Sequence, residues 1–191
     1  SVAIEKSEVI PALVELVKEG TTNGRKNTVI AIFGMLLLSR NHQRVVATGV
    51  VPVLLGILAS SDKEKLVAES LVVLAALVEN ADKACVIMEG LVLALITGML
   101  RSVTPQVGKE HSASILLSLC VNIGAEVVAV LAKDPSVKPS LYSLGMGGSS
   151  QGAKKARFLI KVIQDFHETR TSRLKGLSSV GMTASRLILH L

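Results

Sequence analysis

Three basic side chains near the end of the chain have the spacing of a binding site. Lys154, Arg157 and Lys161 lie at i, i+3 and i+7, which places them on one face of a helix. Lysine and arginine on a shared face attract carboxylates and phosphates through charge-assisted hydrogen bonds. The same pattern is also typical of the solvated cap that ends a repeat protein, and the two interpretations are compatible. These residues predict binding of an anionic group rather than a reaction.

The net charge of the chain is concentrated in the same region. Residues 1–151 contain equal numbers of acidic and basic residues, whereas residues 152–191 carry the whole net charge of +6. Any electrostatic preference for a partner should therefore begin at this end of the chain. Nucleic acid binding is disfavoured, because Tyr142, Phe158 and Phe166 are the aromatic residues nearby that could stack on bases.

Other reactive residue types do not form a catalytic or metal-binding pattern. The four histidines have no metal-ligand spacing to a cysteine or to one another. Residues 147–154 approach the spacing of a phosphate-binding loop, but Lys154 is one position late and no Ser or Thr follows it. The sequence also assigns no Ser-His-Asp set. We therefore expect no catalytic residue, no metal ion, no cofactor and no small-molecule substrate.

The cysteines and the apolar runs bear on the cellular compartment. Cys85 and Cys120 lie within apolar helical patterns and are expected to be buried and inert, which favours a reducing compartment. The longest uncharged run, residues 45–61, is interrupted by Gly and Pro and is shorter than the ~20 residues of a spanning helix. We expect no transmembrane segment and no signal peptide.

The elements that position these residues recur about every forty residues. Val-Ile-Pro-Ala-Leu at 9–13 returns as Val-Val-Pro-Val-Leu at 50–54, and Gly49 returns as Gly90. Self-similarity at this period, with helical patterning, indicates stacked helical repeats of the armadillo or HEAT kind. Such repeats form extended binding surfaces rather than catalytic clefts.

Each repeat predicts a shorter helix followed by a longer one, with a further short helix between repeats. This three-helix unit favours armadillo over HEAT repeats. Pro11 and Pro105 are expected in the first turn of their helices, where a missing N–H costs nothing. After residue 133 the pattern loosens, and we expect a flexible loop at Gly145–Gly152. The predicted helices are 10–18, 25–38, 41–47, 52–59, 63–79, 81–88, 91–101, 105–121, 125–132, 140–144 and 153–168.

These elements predict an all-α fold, a right-handed armadillo-repeat superhelix with about three full repeats and a degenerate C-terminal one. The armadillo domain is expected to span residues 1–168, followed by a flexible or loosely packed tail at 169–191. Because the chain starts with Ser1 in the middle of a repeat, we expect it to be a fragment of a longer protein. The predicted repeats are roughly 9–49, 50–90, 91–133 and 134–168.

Alignment of the four long helices separates a core face from a binding face. Apolar residues at i, i+3, i+4 and i+7 form a core stripe in each helix. In armadillo solenoids the opposite face lines a concave groove, and here it changes from small and apolar to polar and then to basic. We therefore expect an acidic or phosphorylated ligand at the last repeat. The predicted groove columns are Asn27, Glu69, His111 and Lys154; Ile30, Val72, Ser114 and Arg157; and Gly34, Ala76, Ser118 and Lys161.

Three segments resemble the armadillo domain of plant U-box E3 ubiquitin ligases. They are residues 9–17, 20–27 and 152–160, of which the last is the most specific, and the resemblance covers residues 1–168. It implies that armadillo repeats recruit a protein substrate or receptor kinase, while a U-box, which this sequence lacks, recruits the ubiquitin-conjugating enzyme. It thus implies that these residues are not an enzyme, whereas the full-length protein is a U-box ubiquitin transferase. It further implies roles in stress, immune or hormone signalling and a cytoplasmic, nuclear or membrane-peripheral location.

Several alternatives compete with this interpretation. An importin-like carrier is disfavoured, because such carriers grip basic peptides with Trp and Asn, whereas this chain has no Trp and one column reads Gly34, Ala76, Ser118 and Lys161. A non-ligase armadillo scaffold that binds acidic or phosphorylated segments is the closest rival. An enzyme fragment with intrinsic catalysis and self-association through an uncapped N-terminal end are further hypotheses.

Overall fold

The computed structural model describes residues 2–60, 66–79, 89–101 and 106–188, and every regular element in these ranges is a helix. A short 3-10 turn, Ser39–Asn41, precedes the third α-helix. The α-helices are α1 (Val2–Glu19), α2 (Thr22–Leu36), α3 (His42–Ala47), α4 (Val50–Ala59), α5 (Val67–Glu79), α6 (Glu89–Arg101), α7 (Gln106–Asn122), α8 (Ala125–Lys133), α9 (Val137–Gly147) and α10 (Ser150–Ile188).

The helices stack in order along the chain. The long helices α2, α5, α7 and α10 pack each against the next, and the helices α1, α4, α6 and α9 form a second row with the same order of contacts. The short helices α3 and α8 precede α4 and α9, which completes the predicted three-helix unit in two repeats. The predicted helix at 81–88 lies outside the described residues. The all-α solenoid is confirmed.

Most of the predicted core stripe is buried in every long helix, and Phe33, Val78 and Leu117 are partly buried against it. Val29 and Ile32 of α2 are completely buried, as are their counterparts in the later helices. Aliphatic side chains fill this core, and burying one such side chain stabilises the fold by roughly 1.5–3 kcal/mol. The buried members in α5, α7 and α10 include Leu71, Leu74, Ala113, Leu116, Ala156, Leu159 and Ile163.

Two turn signals differ in their structural roles. Thr21 caps α2, since its Oγ1 accepts a hydrogen bond from the N–H of Gly24 at 3.3 Å. Gly49 precedes α4 with a φ of 75°, a left-handed conformation that favours glycine. Gly90, which the sequence pairs with Gly49, instead lies within α6. The two glycines are therefore not equivalent, and the burial pattern aligns Val50 with Val92 instead.

Three other local predictions are wrong. Pro11 lies inside α1 rather than in its first turn, because the strong helix formers in residues 2–8 extend the helix toward the N-terminus. The loop predicted at Gly145–Gly152 is much shorter, since α9 continues to Gly147 and α10 begins at Ser150. The last helix does not end near residue 168 but continues to Ile188. Whether residues 169–191 form a separate tail stays a prediction.

A carboxylate from α7 holds the N-terminus of α10. Glu110 accepts hydrogen bonds from the N–H of Ser149 at 2.7 Å and from its hydroxyl at 2.6 Å. The Ser149 hydroxyl oxygen in turn accepts the N–H of Gly152 at 3.1 Å. A Cβ on Gly152 would lie 2.5 Å from Cγ of Glu110, so glycine is needed for this close approach. The cap therefore fixes α10, and its basic residues, against α7.

We expect Gly152→Ala to destabilise the protein by about 1–2 kcal/mol, because the added methyl group displaces Glu110 and removes the cap. In a Glu110→Ala background the same change should be neutral or stabilising, since alanine favours helix more than glycine. Urea unfolding of the four chains in a double-mutant cycle measures this coupling. If Gly152→Ala lowered the unfolding free energy equally in both backgrounds, this would contradict the close contact between residue 152 and Glu110.

The Glu110 cap should also weaken in acid. Burial raises the pKa of the Glu110 carboxyl, but hydrogen bonds from Ser149 and Gln106 outweigh burial and leave the pKa below its usual value. Because the pKa of Glu110 is lower in the folded than in the unfolded state, the cap contributes its full stability above the unfolded-state pKa of about 4.3. This contribution is lost as the pH falls through the folded-state pKa. The difference in unfolding free energy between wild type and Glu110→Ala should therefore shrink below about pH 4.

Candidate functional site on the groove face

The outward surface of α2, α5, α7 and α10, opposite the core stripe, is named here the groove face. Its predicted members become more enclosed toward the middle of the stack, because helices flank them on both sides. Those on the first and last helices are exposed: Asn27, Ile30, Gly34, Lys154, Arg157 and Lys161. Those on α5 and α7 are half-buried, namely Glu69, Val72, Ala76, His111 and Ser118, except for Ser114, which is buried.

Ser114 connects α7 to α10. Its hydroxyl donates to the carbonyl of Glu110 at 3.0 Å and accepts a hydrogen bond from Nζ of Lys155 at 2.8 Å. Lys155 of α10 is thus a hydrogen-bond partner of Ser114. Lys155 is not among the predicted groove residues, and its contact with α7 depends on how the two helices are placed relative to each other.

Arg157 turns away from α7. Its Nη2 donates a hydrogen bond of 3.3 Å to the carbonyl of Gly145 at the end of α9. The structure therefore does not bring the three predicted cations together as one cluster. Lys154 and Lys161 stay on the open face, whereas Arg157 lies at its edge beside α9.

Lys154 and Lys161 of α10 have no carboxylate partner among the described residues. The ion pairs among the described residues lie elsewhere, and they join Lys18 to Glu15 and Lys26 to Glu69, the latter at 2.9 Å. The second pair neutralises the acidic member of the predicted groove columns, and the Glu69 side chain is only 20% exposed. The groove face is therefore charge-balanced at α2 and α5 and positive at α10.

His111 lies where α7 meets α10. Burial lowers the pKa of His111, and the positive charge of Lys155 lowers it further, while Glu110 acts in the opposite direction. The imidazole is therefore neutral near pH 7 and can accept or donate one hydrogen bond. Protonation at lower pH would add a second positive charge beside Lys155.

Phe158 adds an apolar contact that the sequence reasoning missed. Its ring is 54% exposed, and it lies four residues after Lys154 on the same face of α10. At the other end of the stack, Ile30 is 50% exposed. The groove face thus presents an aromatic ring between two free lysines, a combination that suits a peptide with both acidic and apolar side chains.

Metal-ligating and nucleophilic side chains were the other candidates for a reactive centre. No group of three His, Cys, Asp or Glu side chains among the described residues has the arrangement of a metal site. Cys120 is buried, and burial raises the pKa of its thiol to about 11. Cys85 lies outside the described residues.

We expect Cys120 to be unreactive in the folded protein. In a Cys85→Ser variant at pH 8, alkylation by iodoacetamide should be on the order of 100-fold slower in buffer than in denaturing urea, because the thiolate is the reacting form. Mass spectrometry of the labelled chain measures both rates. Comparable rates, with an unchanged far-UV circular dichroism spectrum, would show that Cys120 is accessible.

No single helix among the described residues is both long and apolar enough to cross a bilayer. Two consecutive helical segments, Ser39–Ala47 and Val50–Ala59, are long and apolar enough for a span when taken together, but they are bent relative to each other.

Solved structures with the same arrangement of helices identify the class. A designed armadillo repeat protein superposes with a TM-score of 0.67 over 81% of this chain and 64% of its own, at 17% identity. Another, in complex with the peptide (KR)4, gives a TM-score of 0.57 over 84% of both chains, at 13% identity. The fold is therefore an armadillo-repeat solenoid, as predicted.

Proteins with similar sequences show which kind of armadillo-repeat protein this chain resembles. The chain is 38% identical over 173 residues to U-box domain-containing protein 19 of Arabidopsis thaliana, and 35% identical over 176 residues to U-box domain-containing protein 18 of the same plant. These matches cover 87% and 90% of this chain but 25% of each relative. No protein-family model matches. The chain is an armadillo-repeat segment homologous to plant U-box domain-containing proteins, and it spans about a quarter of their length.

Proposed function

We propose that this chain is the partner-recruiting module of a U-box E3 ubiquitin ligase, and that its groove face binds a protein substrate or a regulatory protein. The homology to U-box proteins and the armadillo fold support this role. The observation that carries it is a continuous surface over four helices that ends in lysines without carboxylate partners. On this proposal the ubiquitin-transfer step lies outside these residues.

The preferred ligand is an extended segment with acidic or phosphorylated residues. Lys154 and Lys161 are exposed on α10 and lie seven residues apart, so two anionic groups of one segment can be bound about two helical turns apart. Between them, Phe158 supplies apolar contact area. The ligand charge proposed here is opposite to that of the (KR)4 peptide in the designed armadillo complex.

Charge reversal at the exposed lysines should abolish this preference. We expect Lys154→Glu with Lys161→Glu to weaken binding of an Asp/Glu-rich or phosphoserine peptide by at least tenfold, since attraction becomes repulsion. Fluorescence anisotropy at low and at physiological salt measures the affinity. The matched control is Arg44→Glu with Lys133→Glu, which changes the net charge equally at exposed positions of the short helices α3 and α8. Equal losses in both variants would refute a localised site.

Binding of an acidic peptide should strengthen at lower pH through His111. Burial and Lys155 hold the pKa of His111 below its usual value. The protein therefore offers an anionic ligand a further positive charge only when the pH falls below about 6.5. We expect the affinity for an unphosphorylated Asp/Glu peptide to rise between pH 7.5 and 5.5. The rise should be absent in His111→Gln, and an equal rise in that variant would exclude His111 as its source.

A ubiquitination assay separates this function from its rivals. Residues 1–191 alone, with activating and conjugating enzymes, should form no ubiquitin conjugates, and conjugates there would favour an enzyme fragment. With the U-box of a relative fused upstream, a reporter that carries the acidic segment should be ubiquitinated. The Lys154→Glu, Lys161→Glu variant of this fusion should no longer ubiquitinate the reporter. A fusion that binds the reporter without modifying it would favour a non-ligase scaffold.

A further inference from the structure

A cleft with a volume of about 440 Å³ lies between α6 and α8, on a different pair of helices from the groove face. Pockets that bind ligands in proteins have volumes of roughly 300–1,000 Å³. Leu93 of α6 and Val127 of α8 line this cleft and are buried. Val130 of α8 also lines it and is 53% exposed, so the cleft is apolar inside and open to solvent.

Two short side chains of α6 line this space. When α4 and α6 are aligned by their buried residues, Ala94 takes the position of Pro52, and Thr97 takes that of Leu55. The Thr97 hydroxyl donates within its own helix, to the carbonyls of Leu93 at 2.8 Å and of Ala94 at 3.0 Å. Thr97 therefore offers no free donor, and an apolar side chain is the group that this part of the cleft can accept without leaving a polar atom unpaired.

One end of the cleft carries a donor and an acceptor that do not pair with each other. Arg101 and Asp134 both line it, but no nitrogen of Arg101 lies within 4.0 Å of an Asp134 oxygen. Asp134 uses Oδ1 for both hydrogen bonds from Ser136, and Oδ2 has no partner among the described residues. Those bonds lower the pKa of Asp134 against the effect of burial, and the nearby charge of Arg101 lowers it further. A peptide group, which has one acceptor and one donor, can bridge this pair.

The opposite end of the cleft is acidic. Glu126 lines it eight residues before Asp134, which corresponds to about 12 Å along a helix. Glu126 is exposed, and no cation pairs with it among the described residues. An extended chain covers this distance with three or four residues, at ~3.3 Å each. A lysine or arginine three or four positions from the bridging peptide group would therefore reach Glu126.

We propose that the cleft between α6 and α8 binds an extended segment of a partner protein, in which an apolar side chain lies beside Ala94 and Thr97. The peptide group next to it accepts a hydrogen bond from Arg101 and donates one to Asp134, and a lysine or arginine of the segment pairs with Glu126. An extended segment is required, because the peptide groups inside a helix bond to each other. The groove face prefers acidic residues, so this second site does not depend on its function.

Two capped peptides serve as probes, because the direction of the bound segment is open. They are acetyl-Lys-Ser-Ser-Leu-Ser-amide and the reversed acetyl-Ser-Leu-Ser-Ser-Lys-amide. Amide chemical shifts of the nitrogen-15-labelled chain, recorded during titration, measure mM affinities and locate the contact. We expect at least one probe to shift amides of α6 and α8. Replacing its Leu by Ala should weaken binding by about tenfold, since most of the apolar side chain is lost.

A filled cleft tests whether the contact is where we propose it. Ala94→Leu places a larger side chain in the cleft, and Ala12→Leu is the matched control at an exposed helical position of α1. Because both sites are exposed, both variants should fold, and circular dichroism checks this. Ala94→Leu should abolish the shifts, whereas Ala12→Leu should bind like wild type. Equal affinity of Ala94→Leu and wild type would overturn the proposal, as would shifts confined to the groove face or no shifts at about 10 mM probe.

A charge exchange tests the acidic end. Glu126→Lys should weaken the Lys probe by about two- to fivefold and strengthen a probe with Glu in place of Lys by a similar factor, as expected for an exposed ion pair. If the substitution changed neither affinity, or changed both in the same direction, the proposed pairing with Glu126 would be wrong. These outcomes are separate from those of the groove face, which is tested with acidic peptides and with the lysines of α10.

Discussion

The burial of one aliphatic stripe on each long helix is the constraint on which the rest of this structure depends. Ile32, Leu74, Leu116 and Leu159 occupy the same place in successive helices, and all are almost completely buried. Hydrophobic burial has no direction of its own, but a stripe at helical spacing can be buried in only one rotational orientation. Once each stripe faces the core, the opposite face of every long helix must lie on the groove face. The position of Lys154 and Lys161 is therefore a consequence of the apolar residues between and around them.

Most of the fold and part of the candidate site could be predicted from the sequence for the same reason. Period 3.6 within one helix separates Leu159 from Lys161, and no knowledge of neighbouring helices is needed. Contacts between helices are different, because they depend on the offset and rotation of two elements relative to each other. Consequently the predicted groove columns do not include Lys155, which the structure pairs with Ser114. The sequence also gave no signal that Glu110 would reach the N-terminus of α10, because 39 residues separate it from Ser149.

The errors at element ends have a related cause. Glycine and proline in a sequence favour a break, but packing decides whether the break occurs. Gly145 and Gly147 continue α9 because Leu141 and Leu144 of the same helix are buried against the stack. Gly148 and Ser149 do form the break, and there the Glu110 carboxylate satisfies donors at the start of α10. A helix end is thus placed where a neighbouring helix supplies the missing hydrogen bonds, which local sequence does not reveal.

Neighbouring basic residues of the last repeat face different parts of the structure, namely α9, α7 and the groove face. Arg157 and Gln164 lean toward α9, where they contact the carbonyl of Gly145 and the hydroxyl of Tyr142. Lys154 and Lys161 stay on the groove face, and Lys155 turns to α7. Because a helix distributes consecutive residues around its axis, one short cationic segment can present charge both to a ligand and to the neighbouring helices. A change at Lys154 therefore alters ligand attraction without altering the contact between α10 and α9 at Tyr142.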